Sequence, residues 1–123
     1  MKKALEHFQQ TLKIEIEIGN RLGQATALGN LGNVYLQKDD LDKALEHFQQ
    51  ALKIDIEIGN RLGQANALCN LGNVYALKLE LDKALERYQR ALEFFQQIGA
   101  IMEVEQTKQN IELVLKAKEM SKQ

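Results

Sequence analysis

The octapeptide KALEHFQQ at residues 3–10 returns unchanged at 43–50, and again as KALERYQR at 83–90. The period is 40 residues, and 30 positions of the first 40 are identical in the next 40. A repeat of about this length admits few folds, because each unit buries its apolar face only against its neighbours and the units stack into a solenoid. Such a chain offers an extended surface for binding rather than an enclosed pocket for chemistry.

Composition agrees with one helical domain. Across 123 residues proline is absent, 45% of residues are hydrophobic and only 6% aromatic, so the core must come from Leu, Ile and Ala. The formal net charge is −1 with acids and bases interleaved, which leaves no basic footprint for nucleic acid or an anionic membrane. The apolar runs are too short to span a bilayer, and no signal peptide precedes the first repeat. Cys69 is alone, so there is no disulfide framework, and a reducing cytoplasm is the default compartment.

Two breaks punctuate each period. Gly-Asn at 19–20 and 59–60 offers a left-handed C′ residue followed by an N-cap, and Gly99-Ala100 holds the corresponding place. Asp39-Asp40 and Leu79-Glu80 precede Leu-Asp-Lys-Ala, where an acid suits a helix start. Six helices follow, roughly 2–18, 22–38, 41–58, 62–78, 81–98 and 101–120. The segments Ile14–Ile18 and Ile54–Ile58 alternate like strands, yet each continues a helical run without a breaker. At about 100° per residue Leu45, Phe48, Leu52 and Ile56 form one stripe, widened by Ala44, Ala51, Ile54 and Ile58. The expectation is helix, apolar over about half its circumference.

Leu28-x2-Leu31-Gly32-x2-Tyr35 followed by Ala44-x3-Phe48 resembles the tetratricopeptide repeat, as does Leu68-x2-Leu71-Gly72-x2-Tyr75 followed by Ala84-x3-Tyr88. A half-motif, Ala4-x3-Phe8, stands at the start. Leu replaces the family's Trp, no Pro closes the second helix, and the period exceeds the usual one of about 34 residues. The longer unit is similar to those of Pins-type spindle-orientation adaptors and of bacterial repeat arrays. The resemblance implies an all-α fold, a right-handed α-solenoid of helix–turn–helix units. These would be a half repeat at 1–20, repeats at 21–60 and 61–100, and a capping helix at 101–123. Gly32 and Ala44 are expected to permit close helix approach, and Ala51 to do the same against the following helix.

One face of the first helix of each repeat is left polar. It carries Thr26, Gly29, Asn30, Asn33 and Gln37 in one copy, and Asn66, Cys69, Asn70, Asn73 and Leu77 in the next. Asn66, Asn70, Asn73 and Leu77 fall at i, i+4, i+7 and i+11 and share a stripe. Asn costs up to ~0.7 kcal/mol per helical position relative to Ala, so three on one face give up stability for no gain in folding. A carboxamide both donates and accepts, which suits the backbone of an extended peptide. Four of the ten differences between copies, at 26/66, 29/69, 36/76 and 37/77, fall on or beside this stripe. In the family this face is concave, and the resemblance gives the peptide contact to Asn33 and Asn73 with Asn30 and Asn70 beside them. The plainer alternative is a polar face with drift at tolerant sites. A carboxylate clamp is disfavoured, because Thr26, Gly29, Asn66 and Cys69 stand where its cations would be.

No catalytic constellation is present, and neither a cofactor nor a metal is expected. His7 and His47 are equivalent places with Arg87 third, a surface position rather than a metal pair. Cys69 has no companion base, and the glycines are not phosphate loops. Glu15 and Asp55 interrupt the apolar arc where Phe95 stands in the third copy, and Arg21, Arg61 or the next helix's N-terminus are their candidate partners.

After Gly99 the repeat dissolves. Lys108 and Glu112 take the places of Leu68 and Gly72, while Ile111 and Leu115 are expected to face inward, so 101–120 reads as a solvating cap. At the start, Ala4, Leu5, Phe8 and Leu12 belong to a second helix whose first is missing, an edge open to self-association. Two functions are therefore expected as alternatives. One is a non-catalytic scaffold taking a protein or peptide segment along the concave groove. The other is a self-associating or engineered repeat segment with no external ligand, a possible homo-oligomer through its N-terminal helix.

Overall fold

The structure is a computed structural model that describes residues 2–122. It contains six antiparallel helices: α1 (Lys2–Glu17), α2 (Arg21–Gln37), α3 (Leu41–Ile58), α4 (Arg61–Leu77), α5 (Leu81–Ile98) and α6 (Ile101–Ser121). α2 packs on α3 and α4 on α5 as two hairpins, which meet through α3 and α4; α1 and α6 flank them. Each boundary lies within a residue of its expected place, because its stop and start signals are local. Gly19, Gly59 and Gly99 are left-handed at φ 73°, 71° and 71°. Asn20 and Asn60 then cap the next helix, accepting from the Gly23 and Gly63 amides at 3.1 and 3.0 Å. The other joint differs: Asp39 and Leu79 take φ 64° and 61° without being glycine.

Inside each hairpin an aromatic ring lies against a helix glycine that has no side chain to offer there. A Cβ on Gly32 would stand 2.6 Å from the Phe48 ring, and one on Gly72 2.7 Å from the Tyr88 ring. The small residue thus admits a ring rather than a helix backbone. Ala51 clusters with Ala25, Leu28 and Ile54 of its own hairpin, and it lines the gap to the following helix together with Ala67 and Asn70. The main core runs from Tyr35, Ala44 and Phe48 through Leu71, Val74 and Tyr75 to Ala84, Tyr88 and Val114, so it is continuous across the stack.

The alternating segments are helical, Ile54–Ile58 throughout and the first as far as Glu17, but the apolar arc is narrower than the sequence suggests. Ile54 and Asp55 are buried, whereas Ile56 and Ile58 are 52% and 40% exposed. Ile56 faces the shallow outer furrow between α3 and α5, beside Arg87 and Arg90, and no helix covers that side.

The ends show what each helix lacks. Phe48 is fully buried while its equivalent Phe8 is only half-buried; Ile54 is 6% exposed and its equivalent Ile14 44%. In α6, Thr107 and Val114 are buried and Ile111 half-buried, but Leu115 is exposed, contrary to expectation. Leu115 takes the place of Tyr35 and Tyr75, whose rings lie beneath Lys43 and His47 or Lys83 and Arg87 of the partner helix. α6 has no such partner among the described residues.

Candidate functional site

The α2 and α4 faces that carry the asparagines border one groove of about 290 Å3, with α3 as its floor. Thr26, Asn30 and Asn33 line it from α2, Asn66 and Asn70 from α4, and Ala51 and Asp55 from beneath. Helical spacing accounts for the walls, since i, i+4 and i+7 residues share a face. None of the four carboxamides of Asn30, Asn33, Asn66 and Asn70 is engaged in a hydrogen bond within the described residues. They are available to a ligand.

The remaining expected residues are dispersed. Asn73 lies in the same stripe, but its carboxamide oxygen accepts from the Tyr88 hydroxyl. Burial pushes the Tyr88 phenol up to about 12. The equivalent Phe48 has no hydroxyl, so Asn33 stays exposed and unfixed while Asn73 is half-buried and held. Gln37 and Leu77 are exposed at the far ends of their helices. Cys69 lies in a neighbouring cavity of about 310 Å3, with Asn66, Asn70, Phe95, Glu103, Gln106 and Thr107. Burial pushes its thiol up, with the Thr107 contact opposing, so the thiolate a nucleophile needs is disfavoured. Ala4, Leu5, Phe8 and Leu12 are all half-buried: Leu5 packs on the main core, Leu12 on the Ala51 cluster.

The floor of the groove was not part of the expected site. Asp55 is 5% exposed. One oxygen, Oδ1, accepts from the Asn60 side-chain amide at 3.2 Å, and no side-chain donor among the described residues is bonded to Oδ2. Burial pushes the carboxyl above the ordinary value, and the Asn60 amide only partly opposes this. The carboxylate fits because the first turn of α4 has a glycine: a Cβ on Gly63 would stand 2.5 Å from the Asp55 carboxyl carbon. Glu15, Asn20 and Gly23 repeat the arrangement at the first joint, where Glu15 Oε2 is buried without a partner. Of the candidate partners, the next helix's N-terminus is the one these acids meet. Arg21 turns instead to Glu57 and Gln24.

The sequence carries the signal for this trio. At the third joint Asp55, Asn60 and Gly63 are replaced together by Phe95, Ala100 and Glu103. His47 stacks on Tyr35 at 4.9 Å and its Nδ1 meets the Lys43 carbonyl, so it serves packing. Among the described residues no three His, Cys, Asp or Glu side chains are placed to hold a metal.

Stacked hairpins with an aromatic ring on a helix glycine define a helical-repeat interaction scaffold. The tetratricopeptide repeat family profile matches residues 1–57 and 26–97, and the chain belongs to that family. Its repeats are typically non-catalytic interaction modules. Among curated proteins, none matches the sequence at a significant level. Among solved structures, the chain is similar to BtubC (BKLC) from P. vanneervenii, with 26% identity and a TM-score of 0.86 over 95% of this chain and 49% of that one. It is also similar in fold to a Pyrococcus horikoshii signal transduction ATPase with numerous domains that carries a tetratricopeptide repeat sensor (21% identity, TM-score 0.85, 91% and 18% covered). RapI in its apo form is a third (22% identity, TM-score 0.76, 97% and 48% covered). The chain thus spans about half the length of BtubC. No described helix is long and apolar enough to cross a membrane.

Proposed function

We propose that this chain is a non-catalytic scaffold that takes an extended peptide segment of a protein partner in the α2/α4 groove. One observation carries the reading: four unengaged carboxamides, from Asn30, Asn33, Asn66 and Asn70, border one groove. Carboxamides at such spacing hold a peptide backbone by donating to its carbonyls and accepting from its amides. Asn73, Gln37, Cys69 and Leu77 extend the same face beyond the groove. The lining holds no Lys or Arg, which supports the reading against a carboxylate clamp. A cytoplasmic setting fits the single unpaired thiol of Cys69. The units are read as a half repeat 1–20, repeats 21–60 and 61–100, and a cap 101–123.

The test is fluorescence-polarisation titration of an octapeptide library against the wild type, the Asn30→Ala/Asn70→Ala variant and the Asn33→Ala/Asn73→Ala variant. Losses of about tenfold or more are expected for backbone-held peptides. Hits whose affinity neither variant changes would remove the groove assignment.

A second reading, self-association through α1, is favoured by the exposure of Ile14 and the half-burial of Phe8. Head-to-tail completion of a hairpin by α6 is opposed by Glu112, which stands where Gly32 and Gly72 admit a ring. A pairing of two α1 helices escapes that clash. Sedimentation across concentration decides: a monomer throughout rejects it.

A further inference from the structure

We infer that the groove selects a basic residue, seating a Lys or Arg side chain of the bound segment on Asp55. The inference rests on the peptide-groove reading and adds to it the chemistry of one ligand side chain. Among the described residues Asp55 is the only charged one that lines the groove. Its Oδ1 is occupied by Asn60, and no side-chain donor among the described residues is bonded to Oδ2. A carboxylate so placed costs the fold stability unless a cation meets it. Burial holds the carboxyl above its ordinary value, which agrees with an anion lacking its counter-charge.

The surroundings match a long cationic side chain. Ala25, Ala51, Ala67 and Leu62 offer small apolar walls for its methylene stem. The carboxamide oxygens of Asn66 and Asn70 are further acceptors beside Asp55 for an ammonium or guanidinium head. An acidic or carboxylate-terminated ligand would meet like charge there. Neutral side chains would leave Oδ2 desolvated and unpaired.

The chain supplies its own comparison. At the third joint the acid, the Asn and the Gly are replaced as a set, and the cavity there has the Phe95 ring where Asp55 would be. A device needed only to hold successive units together would serve at every joint. The acid of this place is kept at the first two joints; at the third Phe95 takes it, and the carboxylate there, Glu103, stands instead at the Gly63 position of the following helix. One joint closes without it.

The test uses N-acetylated, C-amidated octapeptides in which one position is Arg, Lys, citrulline, norleucine or Glu. Citrulline keeps the shape of Arg and removes its charge. With the full chain, Arg or Lys at one register is expected to bind about tenfold or more tightly than citrulline, as a charge-assisted bond implies. Asp55→Asn should reduce that ratio to below about threefold, and Asp55→Glu should retain the preference, since Glu15 shows the longer acid is accommodated at the equivalent place. Amide chemical shifts of Asn60, Gly63 and Asn66 should move with the Arg peptide and less with the citrulline peptide, a readout that needs no substitution. Equal affinities for Arg and citrulline peptides, or a preference that survives Asp55→Asn, overturn the inference and leave the groove reading standing. If no peptide in the library depends on the asparagines, the groove reading fails and the inference with it.

Discussion

Leu79 is 78% exposed and held at φ 61°, in a region where an L side chain crowds its own backbone. It packs on little and pays a conformational cost of roughly 1–2 kcal/mol. Leu79→Gly is therefore expected to stabilise the fold by about 0.5–1 kcal/mol, after the entropy glycine loses on folding. Urea denaturation measures it, and an unchanged or lower midpoint contradicts the assignment. Asp55 gives a second prediction of this kind. Its carboxyl is raised by burial, so the contribution to stability is present at low pH and is lost as the pH rises through the raised value. Asp55→Asn should raise the melting temperature at neutral pH, and the gain should shrink on acidification toward the ordinary carboxyl range. Tyr88 is also raised, to about 12. The unfolded phenol ionises near 10 and the folded one does not, so stability should fall by on the order of 2 kcal/mol between about pH 10 and 12. Tyr88→Phe should lack that portion of the alkaline loss in denaturant titrations.

At the scale of the helix pair, the inter-repeat joint is a contact between an acid at one helix's end and a glycine in the next helix's first turn. Gly63→Ala places a methyl against the Asp55 carboxyl and the Asn60 side-chain amide, the latter the end of a side chain that can shift, and should cost about 1–3 kcal/mol by overpacking. Combined with Asp55→Ala, most of that cost should vanish, and a double-mutant cycle reads the coupling directly. Additive losses would mean that Gly63 serves some other contact. A second inter-repeat contact repeats with the period: Lys78 bonds Asp42 at 2.7 Å, and Lys118 bonds Asp82. At the corresponding place of the first unit Lys2 faces the Lys38 position, so that pair is absent from the sequence. Exposed pairs of this sort contribute little stability.

For the whole molecule, stability is a sum of units and of the interfaces between them. Among the described residues no helix covers Phe8 and Ile14 on the outer side of α1, which stay half-buried and exposed. A copy of residues 61–80 fused ahead of residue 1 should supply such a helix, with its Gly72 over Phe8. The fusion is expected to raise the melting temperature by several degrees, as an added interface implies, and to abolish any concentration-dependent association. A fusion that melts as the original does would show that α1 is not a hairpin's second helix in energetic terms.

The sequence by itself determined the number of helices, their limits and the asparagine-bearing face. Those depend on signals that act within a few residues: a glycine free to turn left-handed, a capping side chain, an apolar period. Burial of Asp55, exposure of Ile56 and exposure of Leu115 lay beyond it, because each depends on what another helix covers. In Ile54-Asp-Ile-Glu-Ile58 nothing local tells the covered isoleucine from the bare one. α2 covers one side, the outer furrow leaves the other open, and Gly63 makes room for the acid between. The replacement of Asp55, Asn60 and Gly63 as a set was visible in the repeat. Only the stacking of α3 against α4 gave it meaning, by bringing three residues spread over nine positions into one contact at the floor of the groove.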